Sequence, residues 1–177
     1  LAYFKADTLN KFVATYDVKS VIEFGSGDGA QLWLARFPSY IGVDVSRTAI
    51  TMTRVAFSQD QSKRFIHFDD LRPEDYADLS LSLDVIYHLI EDSVFDEYMN
   101  KLFDSAKRYV IVYSSNDSAR KSASAHVKHR AFTEWVAQAR PDFQLIEKLE
   151  NPYPEDIRDL DNTSFADFFF FERVSQA

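Results

Sequence analysis

Apolar positions along this chain fall into two rhythms, and the order in which those rhythms alternate outlines a fold. Between Ala2 and Tyr16 the residues Phe4, Leu9, Phe12, Val13 and Tyr16 recur every three to five positions, the spacing that gives a helix one apolar face. Ser20–Phe24 then reads as a short strand running into the glycines of GSGDG, and Ala30–Phe37 as a helix stopped near Pro38. Tyr40–Val45 is predicted as a second strand, Arg47–Ser58 as a second helix and Arg64–Phe68 as a third strand. Ala77–Leu83 alternates apolar and small polar residues at period two, which predicts a fourth strand, followed by a helix around Ser93–Ala106 and a fifth strand over Arg108–Ser114.

Ser115–Ala125 carries no periodicity and is expected to be a loop before a helix over Ala131–Arg140, which Pro141 ends. Phe143–Leu149 is predicted as a sixth strand, Asn151–Thr163 as a proline- and acid-rich loop, and Phe165–Val174 as a last strand with four consecutive Phe. FADFFFF is expected to be buried edge-strand core, and Trp33 and Trp135, both on predicted helices, are expected in the core as well. Strands that alternate with helices imply a mostly parallel sheet covered on both faces, because a right-handed crossover needs a helix to return the chain. No helix separates the last two strands, which permits an antiparallel pair at the sheet's edge.

Composition narrows the classes of function. With 46% hydrophobic and 27% charged residues the chain is expected to fold as one globular domain over residues 1–177 rather than to be disordered. Asp and Glu outnumber Lys and Arg by 28 to 20, the opposite of what a protein neutralising many phosphates carries, so long nucleic acid is disfavoured as a substrate. The absence of Cys excludes disulfides, thiolate zinc sites and any Cys nucleophile. No apolar run reaches the roughly 18 residues of a membrane span, and LAYFKADTLNKF is too polar for a signal peptide, so a cytoplasmic protein is expected. Residue 1 is Leu rather than Met, which leaves room upstream for more chain, part of a substrate lid included.

The candidate chemistry begins at VIEFGSGDGA. Gly25, Gly27 and Gly29 lie where the chain turns sharply from strand to helix and where a ligand can rest against bare backbone. Asp44 ends the second strand about 20 residues further on, where a carboxylate can accept both hydroxyls of a ribose. The glycines alone do not choose a ligand, since Gly25, Gly27 and Ala30 also satisfy the dinucleotide pattern G-x-G-x-x-G/A, and a plain turn with Asp44 as a helix cap is the bland alternative.

From about Ser20 to its end the chain resembles the class I S-adenosylmethionine-dependent methyltransferases. Hydrophobic-Glu23-hydrophobic-Gly25-Ser26-Gly27-Asp28-Gly29 is similar to the first motif of that family, which implies that Glu23 and the glycine loop, Ser26 included, hold the amino-acid end of S-adenosyl-L-methionine. Asp44 matches the family's ribose-binding acid, and Val45 would contact adenine. FIHFDDL resembles the third motif, with the Asp70-Leu71 pair favouring Asp70, and then Asp69, as acceptor from the adenine amino group. LSLDVIYHLIED is similar to a D-V-L-x-H-L stretch after the fourth strand, which would place Asp84 near the methionine portion and leaves His88 as either a structural residue or a general base. The resemblance implies a three-layer α/β/α sandwich with a Rossmann-like seven-stranded sheet of order 3-2-1-4-5-7-6 and an antiparallel last strand. The family's D/N-P-P-Y/F motif is absent, which speaks against adenine-N6 or glutamine-N5 methylation.

The acceptor is less legible. His88, His126 and His129 are candidates for activating it, and the positive cluster of Arg120, Lys121, His126, Lys128, His129 and Arg130 would orient a phosphate or carboxylate, or else is a solvated loop balancing an acidic surface. His126, Lys128 and Arg130 are the expected substrate-binding residues. His126 and His129 are three apart without further ligands to complete a metal set, so no metal is expected. The reading is methyl transfer to oxygen or nitrogen of a small anionic metabolite, with two alternatives: a non-catalytic S-adenosylmethionine-binding protein and an NAD-dependent oxidoreductase.

Overall fold

Alternate residues of the central strands turn to opposite faces of one sheet, and both faces are covered. The computed structural model describes residues 1–121, 124–160 and 162–174. Ser122 and Ala123, in the expected loop after the fifth strand, and Asp161, in the acid-rich segment, lie outside them. The elements are α1 (Ala2–Thr15), β1 (Val21–Phe24), β2 (Tyr40–Asp44), α2 (Arg47–Ala56), β3 (Lys63–His67), β4 (Ala77–Leu83), α3 (Asp92–Asp104), β5 (Ala106–Ser114), α4 (Phe132–Ala139), β6 (Phe143–Leu149) and β7 (Asp167–Arg173).

The strands form a seven-stranded sheet in the order β3-β2-β1-β4-β5-β7-β6. β3, β2, β1, β4 and β5 run parallel, and β7 is antiparallel to both β5 and β6. That is the expected order and direction.

The pleat explains why the strands read as continuous apolar runs. Val21, Ile111, Tyr113, Phe168 and Phe170 face one core with Leu9, Phe12 and Val13 of α1 and Ile50 of α2. Ile22, Val110, Val112, Phe169 and Phe171 face the other, with Phe95, Met99 and Phe103 of α3 and Phe132 and Val136 of α4. The four consecutive Phe of β7 are all buried because each face of that strand has a helical layer over it. β7 is not the edge strand; β6 is, and its solvent side leaves Leu145 and Ile146 exposed.

Two expectations fail after the glycine loop. Ala30–Phe37 does not form an α-helix: Gln31–Leu34 makes one 3₁₀ turn and Ala35 is already extended, with ψ 146°. The cause is Asn10 of α1, whose amide donates to the Leu34 carbonyl at 3.0 Å and whose oxygen accepts from the Arg36 N–H at 2.7 Å. The Arg36 N–H is a group that a continuing helix would use itself, and Pro38, which has no N–H, leaves the Leu34 carbonyl no helical partner. As a result Trp33 is not core but 67% exposed, lying over Phe57 with ring centroids 4.5 Å apart. Trp135 is half-buried, packed edge-on to Phe95 while its indole N–H donates to Asp96 at 2.9 Å.

Candidate functional site at the carboxyl edge of the sheet

β1, β2 and β4 end side by side, and the chain leaves β1 through three consecutive odd-numbered glycines in the left-handed region. Gly25, Gly27 and Gly29 have φ of 79°, 55° and 77°, a backbone that side chains other than glycine adopt only under strain. The Gly25 and Ser26 N–H groups donate to the Val43 carbonyl at 2.7 and 3.1 Å, which pins the loop against the end of β2. The glycines serve different purposes. A Cβ on Gly25 would lie 2.3 Å from Val85 Cγ2, and one on Gly29 would lie 2.9 Å from Phe57 Cε2, whereas one on Gly27 would meet nothing within 4 Å. Gly25 and Gly29 are there for packing; Gly27 borders open space where a ligand can sit.

Asp44 faces that loop. One carboxylate oxygen accepts from the Gly27 N–H at 2.9 Å and the other from the Ser46 N–H at 2.8 Å, while the Ser46 hydroxyl accepts from Ala49 N–H and caps α2. Val45, the next residue, is 72% exposed. Its carbonyl receives a bond from His67 Nε2 at 2.8 Å, so Nε2 carries the proton and Nδ1 is free to accept from the Asp69 N–H, 3.3 Å away. His67, which sequence reasoning missed, thus ties the turn after β2 to the turn after β3. Its signal is its place as the last residue of a strand, two before the first acid of the expected third motif. Asp69 and Asp70 are exposed beside Val45, Arg47 approaches Asp70 at 4.0 Å, and Leu71 is half-buried against the core.

Glu23 is only 7% exposed, in the middle of β1's neighbours. Its carboxylate accepts from the Tyr40 hydroxyl at 2.5 Å. Burial pushes the Glu23 carboxyl up to about 7; the Tyr40 bond and the charge of Lys5 oppose that shift without cancelling it, and Asp44 adds to it. Tyr40 is itself held well above the usual phenol range by burial and by the Glu23 charge.

Asp84 follows β4 with φ 60°, one of two non-glycine residues with positive φ among those described. Its N–H donates to the Tyr113 carbonyl at 3.0 Å, its carboxylate accepts from the Tyr87 hydroxyl at 3.0 Å, and Lys5 of α1 pairs with it at 2.7 Å. Lys5 is the second residue that sequence reasoning missed; nothing local distinguishes it from Lys11, the other lysine of α1.

The expected acceptor residues separate into two groups. His129 is buried beneath this edge, with Nδ1 2.6 Å from the Ser115 hydroxyl and its ring edge-on to Phe165 at 4.9 Å. Burial, and then the charge of Arg120, holds its imidazole below the ordinary value of 6.5. His88 is exposed, lies against Tyr87 at 4.5 Å and has Nδ1 3.3 Å from the His126 carbonyl; His126 is also exposed.

Lys128 and Arg130 reach Asp92 at the start of α3, at 2.5 and 2.8 Å, and draw its carboxyl down to about 2. Arg130 also donates to the Leu89 and Ile90 carbonyls, at 2.6 and 2.9 Å. Arg120 pairs with Glu155 and stacks over Phe165. Among the described residues no group of three or more His, Asp or Glu is arranged to hold a metal, and no helix is long and apolar enough to cross a membrane.

No family model and no curated protein matches the sequence. Solved structures do match it. The methyltransferase domain of bacterial CtHen1-C superposes with a TM-score of 0.73 at 17% identity, covering 98% of both chains. The chain has the class I methyltransferase fold. The N-methyltransferase NodS of Bradyrhizobium japonicum WM9, in complex with S-adenosyl-L-homocysteine, gives 0.75 at 13% identity over 98% of this chain and 86% of that one. Magnesium protoporphyrin IX methyltransferase of Synechocystis PCC 6803, also with that product bound, gives 0.69 at 14% identity over 97% and 83%. On this methyltransferase fold the residues present suit S-adenosylmethionine: left-handed glycines with open space over Gly27, a paired-oxygen acceptor at Asp44, an exposed apolar Val45 beside it, and acids at the β1 and β4 ends for a cationic group.

Proposed function

We propose that this chain is an S-adenosylmethionine-dependent methyltransferase that methylates oxygen or nitrogen of a small anionic molecule. The observation that carries the reading is the pairing of the left-handed glycine loop with Asp44 across the ends of β1 and β2. Gly27 would pass the cofactor's sugar over bare backbone, Asp44 would exchange its Gly27 and Ser46 N–H groups for ribose hydroxyls, and Val45 with Asp69, Asp70 and Leu71 would take the adenine. Glu23 and Asp84 lie where the amino-acid end would run, between β1 and β4. The sulfonium supplies an already activated methyl group, so the protein's task is to hold the acceptor atom close, aligned and deprotonated.

His129 is the best placed of the candidate bases. It is buried, its ring is fixed by Ser115 and Phe165, and its lowered proton affinity keeps it neutral at physiological pH, as a base must be. His88 is exposed and packs on Tyr87, whose ring meets the same Phe165. Lys128 and Arg130 together carry one more charge than Asp92 neutralises, and with exposed His126 they leave a positive rim for an acceptor's anionic group. The overall net charge of -8 speaks against long nucleic acid.

Calorimetric titration with S-adenosylmethionine, S-adenosylhomocysteine and NAD tests the cofactor. Micromolar binding of the two sulfur ligands is expected, with Asp44→Ala weakening both by about a hundredfold or more, as loss of two bonds to a charged acceptor implies. Binding of NAD alone overturns the reading. Methyl transfer to a small RNA, and to no small anionic acceptor in a product screen, overturns its acceptor half. Loss of the positive rim in a Lys128→Ala/Arg130→Ala variant that leaves acceptor KM unchanged removes the rim's role.

A further inference from the structure

Lys5 reaches out of the first turn and a half of α1 to the end of β4, 79 residues along the chain, and its side chain is 14% exposed. It pairs with Asp84 at 2.7 Å, stands over the Tyr113 ring at 5.4 Å from the centroid, and is the cation whose charge acts on buried Glu23. This end of the crevice is otherwise acidic, with Glu23, Asp44 and Asp84 gathered at the ends of three adjacent strands. A zwitterionic amino-acid group entering there finds acids for its ammonium and one cation for its carboxylate. An ammonium has three donors, and Asp84 occupies one of those on Lys5.

Building on the proposed cofactor, we infer that Lys5 binds the carboxylate of the cofactor's amino-acid moiety while it remains paired with Asp84. The entry of an amino-acid carboxylate then fastens α1 across the crevice, because the same side chain joins that helix, the β4 turn and the ligand. Discrimination follows as well: nucleosides without the amino-acid group gain nothing from Lys5.

The test compares ligands that differ only in this part of the molecule. S-adenosylhomocysteine and 5′-methylthioadenosine are titrated calorimetrically into the wild-type chain, Lys5→Met and Lys5→Arg, with thermal melts as a check on folding. Lys5→Met is expected to weaken S-adenosylhomocysteine about ten- to a hundredfold, leave 5′-methylthioadenosine within about twofold, and be largely restored in Lys5→Arg. A second arm needs no variant: decarboxylated S-adenosylmethionine should bind the wild-type chain about tenfold or more weakly than S-adenosylmethionine. Equal weakening of both nucleosides, unchanged S-adenosylhomocysteine affinity, or equal affinity for the decarboxylated cofactor overturns the role of Lys5 alone. Failure of the wild-type chain to bind any of these ligands overturns the cofactor assignment, and this inference with it.

Discussion

Glu23→Gln should make the protein more stable at alkaline pH while weakening its site. The carboxyl of Glu23 is moved from 4.5 to about 7, chiefly by burial, so the folded state prefers the protonated form. Below pH 4.5 the group is protonated in both folded and unfolded chains and exacts no penalty; as pH rises the unfolded chain ionises first, and the penalty grows until the folded group ionises near 7. At roughly 1.4 kcal/mol per pH unit the full displacement corresponds to roughly 3 kcal/mol. Little of it is in place at pH 5 and nearly all at pH 8, so this residue should remove roughly 2–3 kcal/mol of stability between the two.

Glutamine preserves the shape and still accepts from Tyr40, whose hydroxyl now gives Glu23 a 2.5 Å bond, but it does not ionise. Urea unfolding at pH 5 and pH 8 measures the effect as a double difference, which cancels the titration of every other group. With a urea slope of about 2 kcal/mol/M, the change in midpoint from pH 5 to pH 8 should differ between wild type and variant by roughly 1 M. Identical pH dependence in the two proteins would refute the reasoning, because it would mean that Glu23 titrates in the folded chain as it does in the unfolded one. An uncharged residue that folds better at this position leaves a functional reason for the acid, and weaker S-adenosylhomocysteine binding by the same variant would supply it.

Two further substitutions separate packing from ligand contact. Gly27→Ala should cost about 1–2 kcal/mol, the strain of a left-handed alanine with nothing for its Cβ to strike, yet abolish cofactor binding; Gly25→Ala, whose Cβ would collide with Val85, should lower the melting temperature further, and equal destabilisation by the two would contradict the division of labour. The His129 imidazole, followed by NMR, should titrate below 6.5, and Ser115→Ala should move that midpoint without unfolding the protein; a midpoint at or above 6.5 in the wild type would refute the depression by burial and by Arg120.

The layered architecture was legible because its determinants are local. Each buried strand carries its own apolar run, α2 carries Ser46 as its cap, and the turn from β1 is written in three glycines. The expected cofactor residues are likewise gathered from strand ends whose positions follow from those runs. What the sequence withheld depends on partners far along the chain. The shortening of the Ala30–Phe37 helix is imposed by Asn10, 24 and 26 residues away from the backbone groups it binds. The positive cluster around Lys128 and Arg130 looks unopposed until Asp92, 36 and 38 residues earlier, is brought beneath it. Lys5 is one of two lysines on α1 until the fold brings Asp84 to it.

Backbone strain gives a sharper criterion for what belongs to the site, provided the context of each strained residue is weighed. Asp17 and Asp84 have nearly the same positive φ, 52° and 60°. Asp17 follows α1, and the next N–H, of Val18, donates back to the Val13 carbonyl at 3.0 Å, a common way of closing a helix with a left-handed residue. Its conformation is explained by ending α1 and points to nothing else. Asp84 ends no helix. It is held left-handed at the mouth of a buried parallel strand by three elements, the Tyr113 carbonyl of β5 accepting its N–H, and Tyr87 of the turn that follows and Lys5 of α1 meeting its carboxylate, where glycine would turn the chain with less strain. Such a residue persists only where its surroundings over-determine it, and here those surroundings include Lys5, the cation inferred to meet the cofactor's carboxylate. Asp84→Gly should therefore relax the turn while loosening α1 and the ligand together, an outcome that a purely structural turn would not produce.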